Sequence, residues 1–404
     1  MSSAEVQGKR PASVKKPLRG LPLGGNLRQS GIFLAFALIV VVFAVLKPVF
    51  LSPENLTNIV LQYSYILVLA IGMLFVIVLG QIDLSVGALL ALASAVSAVL
   101  VIKEGMPWWV GLLAALATGL IAGVWQGFWV AYVGIPGFIV TLAGMLIFRG
   151  LTYIVLNNVS LSGFPQTYQN IGNGFLNGLL GGNGIDVFTL VIFAVGVVGF
   201  GYFQWRGRQD RIRYGQKVEA LWVFVLKWVL LAVLVMAFAY QIARDRGLPI
   251  VLIIMAILIL IYGLVSQKTV FGRDIYAIGG NKTAAALSGI SVRSVSFWTY
   301  VNMGFLSAVA AVLFSARMNG AQPAAGNMFE LDAIAACFVG GASTTGGIGR
   351  ISGALVGGLV MAVMSNGMQL MGATTATQQI VKGLVLLLAV AFDVFNKRRS
   401  GVAS

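Results

Sequence analysis

The sequence predicts an all-α fold: a polytopic membrane helix bundle of about twelve transmembrane segments, some of them broken or re-entrant. Three observations predict it. The 404 residues are 59% hydrophobic and only 10% charged, against about 25% charged in a soluble domain. Apolar runs near the ~20 residues that a span needs recur from residue 31 to residue 395. The net charge of +15 falls in short clusters between those runs, whereas nucleic-acid-binding proteins gather it on a polar surface. No nucleic-acid partner is expected.

The elements follow in order. Residues 1–29 are a polar, basic segment too long for an ordinary signal-peptide n-region. The run 31–46 has no small-residue cleavage signal, so it reads as a retained first span. Further spans are expected at 59–79, 84–102, 108–133, 138–156, 187–205, 221–243, 250–267, 295–316, 331–342, 351–370 and 379–395. Of the 27 Lys and Arg, 19 fall in 1–29, 206–220, 268–294, the turn at Arg350 and the tail 397–404; only five fall in the alternate loops. The positive-inside rule then puts both termini in the cytoplasm. One transmembrane domain, 30–396, is expected, with 157–186 as an extracytoplasmic loop and 206–220 and 268–294 as cytoplasmic ones. Loop 157–186 has no Lys or Arg and is rich in Asn and Gly; it reads as irregular, with a short helix at 174–180. Trp108, Trp109, Trp205 and Trp222 sit at span ends, as interfacial anchors do.

Two stretches break the pattern. Twelve residues at 331–342 cover about 18 Å of a hydrocarbon core about 30 Å thick. They run into "GGASTTGGIGR", with Gly340, Gly341, Gly346, Gly347 and Gly349. Irregular backbone cannot face lipid, so this is either a broken helix at a substrate path or a turn at the cytoplasmic surface. "GQIDLSVG", residues 80–87, holds the same topological slot in the first half. Its Asp83 is placed to cap helix 84–102 and meet the positive end of the dipole; a place in the path or gate is the other reading. Gly119–Gly123–Gly127 and Gly353–Gly357 have the spacing of close helix contacts. Among charges inside spans, Arg149 is central, while Lys227 and Lys382 lie near span ends, free to snorkel. Glu330 and Asp332 read as flanking a span at the outer surface. So few acids in mid-span argue against ion-coupled transport.

The most distinctive polar piece is "KTVFGRDIYAIGGNKTAAALSGISVRS", 268–294. Gly279-Gly280 reads as a turn, Asn281 as the N-cap of a helix Lys282–Leu287, and Gly289 as its stop. Such an exposed helix is a solvated linker or a docking element. No phosphate-binding G-x-x-x-x-G-K-[ST] loop and no catalytic constellation occurs. With no His and a single cysteine, Cys337, neither an intramolecular disulfide nor a Cys–His metal site is possible. The chain therefore reads as a non-enzyme without cofactors or metal; any ATP would be hydrolysed by another chain.

The stretches "GQIDLSVGALLALAS", "GIPGFIVTLAGMLIFRGL", "FGRDIYAIGGNKTAAALSGISV", "FELDAIAACFVGGASTTGGIG" and "QQIVKGLVLLLAVAFDVFNKRR" resemble, in order, the permease subunits of bacterial ATP-binding-cassette sugar importers of the ribose, xylose and galactose branch. The longer 187–243 region looks like the xylose and multiple-monosaccharide permeases. The resemblance implies a homodimer in the cytoplasmic membrane, fed by an extracytoplasmic sugar-binding protein. Two cytoplasmic ATPase domains would grip the coupling residues Gly279, Gly280, Asn281, Ala284, Leu287 and Gly289. A neutral sugar needs donors and acceptors without strong charge. Gln81, Ser85, Thr141, Asn302, Asn319, Asn366 and Gln369 are candidates, beside Asp83; each is equally a helix-packing polar group. Gln81 stands where relatives often carry Gly or Glu, and "GATTAT" at 372–377 lacks an aromatic expected before Gln378. An ion-coupled sugar carrier and a branched-chain amino-acid permease are the competing expectations.

Overall fold

The computed structural model describes residues 24–216 and 218–399; most of the basic segment 1–29 and the end of the tail 397–404 lie outside them. Fifteen helices follow in order among the described residues. They are α1 Gly24–Leu46, α2 Pro53–Val78, α3 Val86–Ala98, α4 Trp108–Phe128 and α5 Gly137–Leu156, then α6 Gln166–Asn173, α7 Val187–Arg213, α8 Leu221–Asp245, α9 Ile250–Lys268 and α10 Val270–Gly280. The last five are α11 Lys282–Leu287, α12 Val292–Met318, α13 Phe329–Val339, α14 Ile351–Leu370 and α15 Thr375–Arg399. π turns extend α3 to Lys103 and α4 to Val133.

Ten helices among the described residues are long and apolar enough to cross a membrane, and they coincide with ten of the twelve expected spans. The other two are shorter. The apolar stretch within α1 is Phe33–Leu46, and α13, at 11 residues, cannot cross a bilayer alone.

Local chemistry explains the ends. Ser52 caps α2, its hydroxyl accepting from the Asn55 N–H at 3.3 Å, with Pro53 at the first helical position. Asp186 caps α7 and Thr269 caps α10 in the same way. Asn157 and Asn319 end α5 and α12 in the left-handed conformation, which Asn tolerates better than most side chains.

The bundle is built around α2 and α12. Val68, Leu69, Ala70, Ile71, Met73 and Val76 are fully buried. Apolar burial on every face marks α2 as interior rather than amphipathic. The glycine stripe of α4 seats on α12. A Cβ at Gly119 would collide with the Gly304 carbonyl oxygen, and one at Gly123 would lie 2.8 Å from that of Tyr300. Gly353 and Gly357 likewise press on Gly340 and Ala336, joining α14 to α13. By contrast α7 and α8 pair with each other and are 6% and 0% buried over their apolar windows; they form a peripheral hairpin.

Two short ribbons tie the loop end. β1 Leu161–Ser162 pairs with β4 Gly320–Ala321, and β2 Phe175–Leu176 with β3 Leu248–Pro249, both antiparallel. The expected helix at 174–180 is absent. The helix lies earlier, at α6, where Tyr168 is buried and its hydroxyl bonds Ser97 and Ser315 at 3.0 and 2.9 Å. An anchored tyrosine outweighs local propensity.

Candidate functional site

The two breaks in the membrane pattern meet. α2 ends beside Gly80 (φ +85°), and the Gly347 N–H donates to the Val78 carbonyl at 2.8 Å. A Cβ at Gly346 would stand 3.0 Å from the Gly80 Cα and the Gly279 oxygen. Gly341, Gly346 and Gly347 have φ of +90°, +82° and +71°, a region in which a side chain is strained. Gly349 packs under Leu74 and Val78, and its carbonyl accepts from the Tyr276 hydroxyl at 2.8 Å. Burial raises the Tyr276 pKa and the Arg350 charge partly opposes this, so the phenol stays a donor. Segment 340–350 is thus a turn between α13 and α14, packed on α2 and α10.

That junction carries the 268–294 element. Gly279 and Gly280 are the last residues of α10 rather than a turn, and the reversal comes at Asn281, whose φ is −158°. The reason is contact. A Cβ at Gly279 would collide with the Val78 carbonyl oxygen, so glycine lets α10 lie on the end of α2. Asn281 Oδ1 accepts from the Ala284 N–H at 2.9 Å, and Gly289 follows the helix at φ +87°. Of α11 only Ala285 is buried; Ala284 is exposed and Leu287 is 85% exposed.

Behind the first break is a buried polar network. Asp83 does not cap the next helix directly, because α3 begins at Val86 with Ser85 before it. Its Oδ1 instead accepts from the Ser85 N–H at 2.8 Å and the Ser85 hydroxyl at 2.7 Å, a local Asx turn. Gln126 Nε2 on α4 donates to Ser85 Oγ at 2.6 Å. Thr141 on α5 donates to the Ile82 carbonyl at 3.3 Å, and Gln81 Oε1 accepts from the Gly137 N–H at 3.1 Å. A Cβ on Gly137 would collide with both Gln81 and the Tyr300 hydroxyl. Gln126 Oε1 and the Tyr300 hydroxyl are buried without a partner among the described residues. Tyr300 lies eight residues along α12 from Val292, about 12 Å from the helix end at 1.5 Å per residue.

The other path candidates do not join this group. Asn302 accepts from the Tyr262 hydroxyl at 2.5 Å. Asn319 is the α12 C-cap, Asn366 pairs reciprocally with Asn55 at 3.0 and 2.9 Å, and Gln369 is exposed. Gln126, Tyr300 and Tyr276 were not singled out from the sequence. Gln126 alone carried a signal, as an amide inside an apolar run.

Several charges in and around the bundle have partners. Arg149 Nη1 donates to the Pro323 and Ala325 carbonyls at 3.2 and 2.5 Å, tying α5 to the segment that leads into α13. Glu330 and Asp332 lie in the first turn of α13 and are buried. Lys382 of α15 does not snorkel; its ammonium lies 2.9 Å from the Asp332 carboxylate. Lys227 reaches Glu219 at 2.6 Å.

Ten membrane-length apolar helices, two touching breaks and an interior polar network define a multi-pass membrane protein of the permease class. The chain belongs to the family described as branched-chain amino acid transport system / permease component, which matches residues 55–390. It is 40% identical over 378 residues to the xylose transport system permease protein XylH of Haemophilus influenzae, covering 93% of this chain and 98% of the relative. The XylH of Escherichia coli K12 is 40% identical over 351 residues, 87% of each chain. The ribose import permease protein RbsC of Bacillus subtilis is 33% identical over 371 residues, 91% of this chain and 94% of the relative. No solved structure gives a significant match.

Proposed function

We propose that the chain is the membrane subunit of an ATP-binding-cassette importer that moves a monosaccharide, xylose or several monosaccharides, into the cytoplasm. The observation that carries this reading is α11, a short helix exposed on all but one residue and mounted where both breaks meet. A partner that pushes on α10 and α11 acts through Gly279 on Val78, and through Gly347 and Gly346 on Gly80. Those contacts lead to Asp83 and Ser85 within a few residues. Gly279, Gly280, Asn281, Ala284, Leu287 and Gly289 are then coupling residues. Gln81, Asp83, Ser85 and Thr141 line the inner gate, where the open valences of Gln126 and Tyr300 suit a polyhydroxy ligand. The partners are a second copy, a cytoplasmic ATPase and an extracytoplasmic sugar-binding protein, in a bacterial cytoplasmic membrane. The relatives named for xylose and ribose favour sugar over an amino acid.

Reconstitution in vesicles tests it, with the ATPase and binding protein co-expressed and labelled xylose, ribose, arabinose, glucose, galactose and leucine compared. ATP-dependent sugar uptake is expected. Uptake driven by an ion gradient without ATP, or of leucine alone, would refute the reading. Leu287→Glu is expected to abolish ATPase pull-down while leaving the unfolding midpoint unchanged, because the side chain is 85% exposed.

A further inference from the structure

The peripheral hairpin of α7 and α8 holds a cavity that the transport reading does not use. It has a volume of about 480 Å³, within the range of small-molecule sites. Gln204, Arg208, Arg211, Glu219, Lys227 and Trp228 line its polar part. Phe200, Phe224 and Leu231 make an apolar wall. By the charge distribution, this end of the hairpin faces the cytoplasm.

The polar groups are arranged in advance. Lys227 donates to both Glu219 carboxylate oxygens at 2.7 and 2.6 Å, and Arg208 Nη1 to the Glu219 carbonyl at 2.6 Å. The Arg208 guanidinium also lies 5.6 Å from the Phe224 ring centre. Glu219 thereby neutralises one of three cations and leaves an excess of positive charge. Arg211 has no ion pair among the described residues. The Trp228 Nε1–H is buried without an acceptor, packed against Gly201, where any Cβ would collide with it. The lining thus offers donors in surplus and leaves one guanidinium unmatched. A sugar brings donors as well as acceptors, whereas an ionised phosphate brings only acceptors.

We propose that the cytoplasmic ends of α7 and α8 bind the phosphate headgroup of an anionic phospholipid. The Arg211 guanidinium meets the phosphate oxygens, and Arg208 and Lys227 close the rim. The acyl chains leave along Phe200, Phe224 and Leu231 into the bilayer. A lipid is favoured over free phosphate because the hairpin is almost unburied by protein along its apolar length, so the headgroup arrives laterally from the leaflet. Basic pockets between helices on the cytoplasmic side are the usual place for such headgroups. The site fixes a hairpin that otherwise has few protein neighbours.

Native mass spectrometry of the purified full chain tests this, with phosphatidylglycerol, phosphatidylcholine and inorganic phosphate titrated separately. Phosphatidylglycerol is expected to be retained about tenfold more than phosphatidylcholine, a difference of about 1.4 kcal/mol. The double variant Arg208→Gln/Arg211→Gln is expected to lose that preference. Should the double variant misfold, Arg211→Gln alone, on an exposed side chain, gives the same readout. Equal retention of the two lipids overturns the proposal, as does a preference unchanged in the variants. Displacement of phosphatidylglycerol by millimolar phosphate overturns the lipid assignment in favour of a soluble anion.

Discussion

Asp83 is a carboxylate set between two apolar helices. Its carboxylate holds the Ser85 N–H and hydroxyl, and Ser85 in turn holds Gln126. Asp83→Ala leaves a buried N–H and hydroxyl without an acceptor, at a cost of about 1–3 kcal/mol. Asp83→Asn keeps the acceptor oxygen and is expected to cost less; denaturant unfolding in detergent compares the two. Asp186 does similar work at the mouth of α7, outside the bundle. Burial opposes its charge, but bonds from the Thr189 hydroxyl and N–H and the Gly178 N–H outweigh that and lower its pKa below 3.8. A depressed pKa means the ion stabilises the fold above the unfolded value, and this is lost as pH falls through the folded value. Asp186→Ala should cost about 1 kcal/mol near neutrality, and its gap from wild type should close below pH 4, read by thermal unfolding from pH 7 to 3.

Elements meet through glycine where backbones touch. Gly279 and Gly280 are adjacent in sequence but not in consequence. A Cβ at Gly279 collides with the Val78 carbonyl, whereas one at Gly280 meets nothing within 4 Å. Gly279→Ala is expected to lower stability by about 1–3 kcal/mol as an overpacked contact and to impair ATP-driven uptake. Gly280→Ala should leave stability unchanged, since a Cβ there meets nothing within 4 Å; unfolding midpoints compare the pair, and vesicle uptake reads Gly279→Ala. Reading Gly279–Gly280 as a turn failed because glycine permits a turn and a close approach alike, and only the neighbour decides between them. The cap at Asn281 and the stop at Gly289 were legible, because their partners lie within a few residues.

At the scale of the whole molecule, α15 is held to the bundle through α13 and α14, with 6% of its apolar window buried. The Lys382–Asp332 pair, with side chains 23% and 11% exposed, joins it to α13. Lys382→Met strands a buried carboxylate and is expected to cost about 3–5 kcal/mol, while Lys382→Met with Asp332→Leu regains most of it. Disulfide trapping between cysteines placed on α13 and α15 reads the attachment directly.

What the sequence determined by itself was set by local pattern. Apolar run length marked the ten membrane-length helices, glycine spacing marked the α4–α12 and α13–α14 contacts, and short-range caps marked α11. Only the tertiary structure decided which polar residues share a site. Gln81, Asp83, Ser85 and Thr141 converge with Gln126 and Tyr300, while Asn302, Asn319, Asn366 and Gln369 serve elsewhere. It also decided that the breaks at 80–87 and 340–350 touch each other and α10. The reason is that a buried polar group must find a partner wherever packing brings one, and between breaks some 260 residues apart in the chain that partner is chosen by helix packing rather than by spacing in sequence.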